Sequence, residues 1–245
     1  MGDDPSERAR ADNANWFDRA GAFDFLETDR DNVVRLEVVQ RTLARERARR
    51  GERLLDVGAG DGRIGARLAA LGYQVTALDG SERALALARE RGLVTVLADA
   101  SRPLPFEAAS FDVVYAGELI EHLFDTSAFL LELRRVLRPG GLMLLTTPNL
   151  AHLPDRLRFL VGKAPTQVQP LHPFLRLHIR PFGPDTLRAA LAGARLRLTR
   201  LESTLVVFRR DRRDPERVTW ASRTLARWAP SLGSFLIAAA ERDDG

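Results

Sequence analysis

The chain has 245 residues, of which 45% are hydrophobic and 29% charged, with no cysteine and a formal net charge of +4. That length suits one generous domain or a domain with a small cap and excludes two full-sized enzyme domains, and the apolar fraction excludes general disorder. Without cysteine there is no disulfide framework, no thiolate metal site and no cysteine nucleophile.

All of the 37 basic residues except Lys163 are arginine, and acids are spread along the chain, so the positive balance is not a nucleic-acid footprint. The start, Met1 to Asn15, is polar and lacks the apolar stretch of a signal peptide, and no apolar run reaches the ~18 residues of a membrane span. A cytoplasmic protein without stable membrane insertion is expected.

In chain order, residues 1–12 read as a disordered leader, and WFDRAGAFDFL (16–26) is aromatic-rich without a period. Val33, Leu36, Val39 and Leu43 recur at helical spacing and predict a helix over 32–49, stopped by Gly51. An alternation follows. Strands are predicted at 53–57, 74–78, 95–98, 111–116 and 142–146, with helices at 63–71, from a Ser81 cap to Arg91, and at 127–137 before the turn Arg138-Pro139-Gly140-Gly141. This order predicts a doubly wound α/β sheet, Rossmann-like and mostly parallel with an antiparallel last strand.

Residues 149–183 are proline-rich, hold three of the histidines and read as an irregular lid. A helix at 184–191, a strand at 195–201, an exposed charged loop at 209–217, a short helix at 218–228 and a strand at 235–240 complete the chain. The expected division is a leader (1–12), a helical cap (13–50), a ligand-binding core (51–150), a lid (151–183) and a C-terminal part of the sheet (184–245).

LLDVGAGDGRIG (54–65) stands between a predicted strand and helix, where a nucleotide-like ligand binds in such sheets. Gly60, Gly62 and Gly65 fit the dinucleotide pattern G-x-G-x-x-G, which points to a nicotinamide oxidoreductase. The longer string fits D-x-G-x-G-x-G, with Asp56 two residues before Gly58. A carboxylate there suits the cationic amino-acid moiety of S-adenosylmethionine and opposes a pyrophosphate, so the methyl donor is favoured. Asp79, ending the second strand, suits ribose hydroxyls in either case. Asp99, ending the third, suits an adenine amino group or serves as a turn residue.

DVGAGDG, ALDGS, LADA, SFDVVYAGELIEHL and VLRPGGLMLLTTPN follow one another over 53–150. This series resembles the class I S-adenosylmethionine-dependent methyltransferases. WFDRAGAFDFL with NVVRLEVV (32–39) is similar to the opening of the ubiquinone-biosynthesis O-methyltransferases. The resemblance implies a donor site built from Asp56, Gly58, Ala59 and Gly60 in the loop, Asp79 and Gly80 after the second strand, and Asp99 and Ala100 after the third. It adds Glu118, and Arg35 for the donor's carboxylate. It further implies methylation of a small-molecule hydroxyl in a phenol, quinone precursor, sugar or other natural product; N- or C-methylation suits the same scaffold. A non-catalytic partner protein is disfavoured by intact donor residues.

Histidine is the natural general base near neutral pH. His122, His152 and His178 follow strands four and five, on the side where these sheets carry their sites, and are the candidate catalytic residues. If Glu118-Leu-Ile-Glu121-His122 is helical, Glu118, Glu121 and His122 share a face. The string resembles a magnesium-associated site of the ubiquinone enzymes, so either these residues hold Mg2+ or Glu118 touches the donor. Phe159, Phe174 and Phe182 pack the cap or line an acceptor pocket. Trp220, Leu225 and Trp228 are expected to pack inward, a membrane surface or a second copy in a homodimer being the alternative partners.

Overall fold

In the computed structural model, which describes residues 30–45, 52–169, 171–172, 175–206 and 215–243, the predicted alternation forms one seven-stranded sheet. Helix α1 (Arg30–Arg45) precedes β1 (Arg53–Val57), α2 (Arg63–Ala69), β2 (Gln74–Asp79), α3 (Glu82–Glu90), β3 (Val94–Leu97) and β4 (Phe111–Gly117). There follow α4 (Thr126–Val136), β5 (Leu137–Pro148), α5 (Leu153–Leu160), α6 (Pro184–Gly193), β6 (Leu196–Ser203), α7 (Pro215–Trp228) and β7 (Phe235–Arg242).

The strand order is β3-β2-β1-β4-β5-β7-β6. Strands β1 to β5 pair in parallel, and β7 runs antiparallel to both β5 and β6. The order reverses between β1 and β4, which opens a crevice at the carboxyl ends of those two strands.

Central strands buried on both faces need continuous apolar runs, and LLDV and DVVYA supply them. Successive side chains of β4 divide between two cores. Val114 and Ala116 pack with Leu130 and Leu133 of α4 and Leu187 of α6, whereas Val113 and Tyr115 pack with Val34 and Leu43 of α1 and Leu68 of α2. The Ser81 hydroxyl accepts from the Ala84 amide (3.1 Å) and the Asp125 carboxylate from the Ala128 amide (2.9 Å), fixing the starts of α3 and α4.

Four expectations change. The RPGG string is not a turn ahead of a strand. Leu137 already pairs with Phe111 and Leu142 with Val113, so residues 138–141 bulge out of β5. The proline-rich stretch after β5 contains α5, whose Pro154 lies in the first turn, where a missing N–H breaks no helical bond. Trp220, Leu225 and Trp228 are 76%, 37% and 86% exposed rather than packed inward, because among the described side chains of α7 the buried ones are Ser222 and Ala226. Residues 118–122 are not an α-helix, for the reason given below.

The leader, the 16–26 segment, residues 46–51 at the expected helix end, Phe174 and most of the 209–217 stretch lie outside the described residues. Among the described residues no helix is long and apolar enough to cross a membrane.

Candidate active site

Gly58, Gly60 and Gly62 all have positive φ (74°, 54° and 76°), and so the chain winds tightly from the end of β1 into α2. The amides of Gly58 and Ala59 donate to the Leu78 carbonyl (2.8 and 3.0 Å), and that of Gly62 to the Ala59 carbonyl (3.0 Å). The Gly60 amide donates to Asp79 Oδ2 (2.8 Å) and the Arg63 amide to Asp61 Oδ1 (3.2 Å). A pyrophosphate needs such amides turned toward it. Here the amides of Gly58, Ala59, Gly60, Gly62 and Arg63 bind the protein itself and are not offered to a pyrophosphate.

The loop's surroundings are acidic. Asp56 is 2% exposed, and its Oδ2 has no hydrogen-bond partner among the described residues. Burial first, and the neighbouring Asp79 second, push its carboxyl up to about 7. Asp79 is held by the amides of Gly60 and Ser81 (2.8 and 2.9 Å), which fixes its carboxylate beside exposed Gly80. Asp99 accepts from the Ser101 amide (2.8 Å) and hydroxyl (2.7 Å), the geometry of a turn residue next to half-buried Ala100.

Across the crevice, α1 brings in Arg35, which is 0% exposed. Its Nη1 donates to Thr146 Oγ1 (3.0 Å) and lies 3.5 Å from Glu118 Oε1, while Thr146 Oγ1 donates to the same Glu118 oxygen (2.9 Å). Arg35 Nε and Nη2 have no partner among the described residues. Glu118 has φ +54°, a left-handed conformation unusual for a side chain of this size, and the 3₁₀ turn Ile120–His122 follows it. This is why 118–122 is no helix: the backbone reverses at Glu118 and turns that carboxylate toward Arg35.

Glu121 points elsewhere, accepting from Thr147 Oγ1 (3.0 Å), while its Oε1 has no hydrogen-bond partner among the described residues and lies 4.0 Å from His122 Nε2. Among the described residues, the group whose ligand atoms lie within 4.8 Å of one another is Glu121, His122 and His178, so the structure replaces Glu118 by His178 in the expected metal trio. Each imidazole Nδ1 faces a backbone oxygen, His122 that of Leu177 (3.1 Å) and His178 that of Gln167 (3.0 Å). Burial and His178 push His122 down to about 3, and burial also lowers His178.

His152 differs. Its Nδ1 lies 3.2 Å from the Asn149 carbonyl and 3.3 Å from Asp155 Oδ2, which places the proton on Nδ1 and the lone pair on Nε2. Asp155 is fully buried and also accepts from the Thr166 amide (2.9 Å), so it ties the histidine to the segment after α5. Asn149 forms an isolated bridge with Phe182, joining the regions of His152 and His178. Of the candidate phenylalanines, Phe159 is exposed and Phe182 buried.

The sequence reading did not single out Tyr115, Gly117, Thr146, Thr147 or Asp155. The two threonines had a signal, being polar at the end of an otherwise apolar strand.

A doubly wound parallel sheet with one reversed strand, in this strand order, is the fold of the class I methyltransferases. Residues 55–145 match the family model described as a methyltransferase domain. A ubiquinone biosynthesis O-methyltransferase of Caulobacter (strain K31) is 35% identical over 211 residues, covering 78% of this chain and 80% of that protein. An S-adenosylmethionine-dependent methyltransferase of Mycobacterium tuberculosis is 35% identical over 166 residues, which are 67% of this chain and 53% of that protein. Among solved structures, an S-adenosylmethionine-dependent methyltransferase of Thermotoga maritima shares the fold with a TM-score of 0.61 at 18% identity, covering 97% of each chain. The [4+2]-cyclase SpnF has the same score at 22% identity, covering 86% of this chain and 81% of the cyclase. The chain belongs to the S-adenosylmethionine-dependent methyltransferases, and S-adenosylmethionine is the methyl donor of that family.

Proposed function

We propose that this methyltransferase acts in the cytoplasm on a hydroxyl of a small molecule and that His152 takes the proton. The observation that carries the reading is the pairing of His152 Nδ1 with Asp155, which leaves Nε2 as the accepting nitrogen; burial lowers the imidazole, and Asp155 opposes that shift. The O-methyl chemistry named for the Caulobacter relative supports it. His122, pushed down to about 3, resists protonation and is the weaker base.

The donor residues fit a zwitterionic amino-acid moiety. Asp56 faces its ammonium, Arg35 its carboxylate and Asp79 the ribose hydroxyls, with Gly58 and Ala59 shaping the loop beneath. Gly80, Asp99 and Ala100 flank the nucleoside end, and Glu118 holds Arg35 in place. The donor supplies a methyl group already activated on a sulfonium. The chain's work is to align the acceptor, exclude water and accept one proton.

A screen of phenolic, sugar and carboxylate acceptors tests the reading, and turnover of a hydroxyl compound is expected. His152→Ala lowers kcat about 10²- to 10⁴-fold on that acceptor. Unchanged turnover removes His152 as the base, and His122 and His178 are then tested in the same way. A second reading, deprotonation assisted by a divalent ion such as Mg2+, is favoured by the grouping of Glu121, His122 and His178. Loss of turnover in EDTA, restored by magnesium, selects it.

Asp56 gives a separate check. Its folded-state value of about 7 lies above the ordinary 3.8, so its contribution to stability is full below pH ~4 and is lost as the pH rises through about 7. The stability of the native chain relative to Asp56→Asn therefore falls over that window. An ammonium beside Asp56 favours the carboxylate, so donor binding near pH 7 releases a proton. Calorimetry in buffers of different ionisation heat detects the release, and Asp56→Asn abolishes it.

A further inference from the structure

We infer that Tyr115 is a second ligand of the donor's carboxylate, acting beside Arg35, and that Gly117 is the residue that lets its hydroxyl reach. The inference rests on the donor-site reading above.

Residues 115 and 117 of β4 face the same side of the sheet, because strand side chains alternate with a period of two. Gly117 does not have the positive φ that demands glycine elsewhere in the site. Its reason is space: a side chain at 117 would run into the ring and hydroxyl of Tyr115, which curl over it. The tyrosine thus fills the room its second neighbour leaves empty, and its hydroxyl is carried toward the carboxyl end of β4, where the crevice opens.

Tyr115 is 1% exposed, and its Oη has no hydrogen-bond partner among the described residues. The charged groups around it are Arg35, Asp56 and Glu118. The Thr146 hydroxyl lies close enough to draw the phenol slightly downward, but it already accepts from Arg35 Nη1 and donates to Glu118. A buried hydroxyl left unpaired is destabilising, and so are Arg35 Nε and Nη2, which have no hydrogen-bond partner among the described residues. Burial pushes the phenol up to about 12, so at neutral pH it keeps its proton and can donate. A carboxylate accepts from a phenol and a guanidinium together; an ammonium would be repelled by Arg35, and the ribose side of the crevice belongs to Asp79.

Tyr115→Phe keeps the ring and removes only the hydroxyl. S-adenosylhomocysteine, which carries the carboxylate, is expected to bind this variant about tenfold more weakly, as for one lost hydrogen bond to a charged group. 5′-Methylthioadenosine, which lacks the whole amino-acid moiety, is expected to bind variant and native chain alike, and this also shows that the variant is folded. Gly117→Ala, which displaces the hydroxyl with the phenol intact, is expected to weaken S-adenosylhomocysteine in the same way. Unchanged S-adenosylhomocysteine affinity in Tyr115→Phe overturns the proposal. Equal weakening toward both ligands also overturns it, since that marks a packing role. Failure of the native chain to bind either ligand overturns the donor site itself, and this proposal with it.

Discussion

Replacing Arg35 by alanine is expected to abolish tight donor binding and to destabilise the protein at the same time. The guanidinium is 0% exposed, donates to Thr146 and stands 3.5 Å from Glu118. Burial already raises Glu118 while Arg35 works to lower it, so removing the cation leaves the carboxylate without its compensating charge. Breaking a buried pair by deleting one partner costs about 3–5 kcal/mol. The Glu118 side chain keeps 19% exposure, which sets the expectation at the lower end, roughly 3 kcal/mol. Donor affinity falls by a further ten- to hundredfold, roughly the worth of a hydrogen bond between charged groups. Denaturant unfolding and donor titration measure the two losses separately. Adding Glu118→Gln to the variant is expected to recover stability but not affinity. If affinity returns as well, Arg35 is only a structural partner of Glu118.

The second large effect is expected at Gly62. An added Cβ would stand 2.7 Å from Ala88 Cβ, 2.9 Å from Ala88 Cα and 2.9 Å from Leu93 Cδ1. The Ala88 Cα belongs to the backbone of α3 and has little freedom to yield. Gly62 also has φ +76°. The left-handed conformation costs alanine about 1 kcal/mol and overpacking about 1–3, so Gly62→Ala loses roughly 2–4 kcal/mol. Gly92 is the control, with φ +81° and nothing within 4 Å of its added Cβ. Gly92→Ala is expected to lose only the conformational part, about 1 kcal/mol. Urea midpoints with unchanged slopes read both values, and equal losses would show that α3 accommodates the methyl.

The fold was legible where local pattern and tertiary role agree. Apolar runs such as LLDV and DVVYA must be strands of a doubly covered sheet, and the glycine loop between β1 and α2 admits few conformations. Departures arose where one backbone angle or one distant contact decides. Glu118 takes positive φ, which no spacing rule signals, and this alone moves it from the side of Glu121 to that of Arg35. Tyr115 reads as one more apolar position in a buried strand. Only the space over Gly117 shows that its hydroxyl travels toward the crevice. Asp155 lies in an ordinary helical start, and its pairing with both His152 and Thr166 depends on how the segment after α5 folds back. The tryptophans of α7 read as core because of their size, whereas among its described side chains helix phase buries Ser222 and Ala226.

The reversed strand β7 has a consequence for the order in which the protein is made. Its first residue, Phe235, pairs with Pro148 at the end of β5, and its ring lies 5.4 Å from the Arg35 guanidinium. Phe235 thus completes the environment of a residue far earlier in the sequence. During synthesis β5 has no neighbour on that side, and β6 none at all, until β7 has left the ribosome. Nascent chains stalled before residue 235 therefore carry the glycine loop but not a finished arginine pocket, and they expose a strand edge to other chains. The surroundings of Arg35 are thus completed only when β7 has been made, long after the glycine loop has been translated.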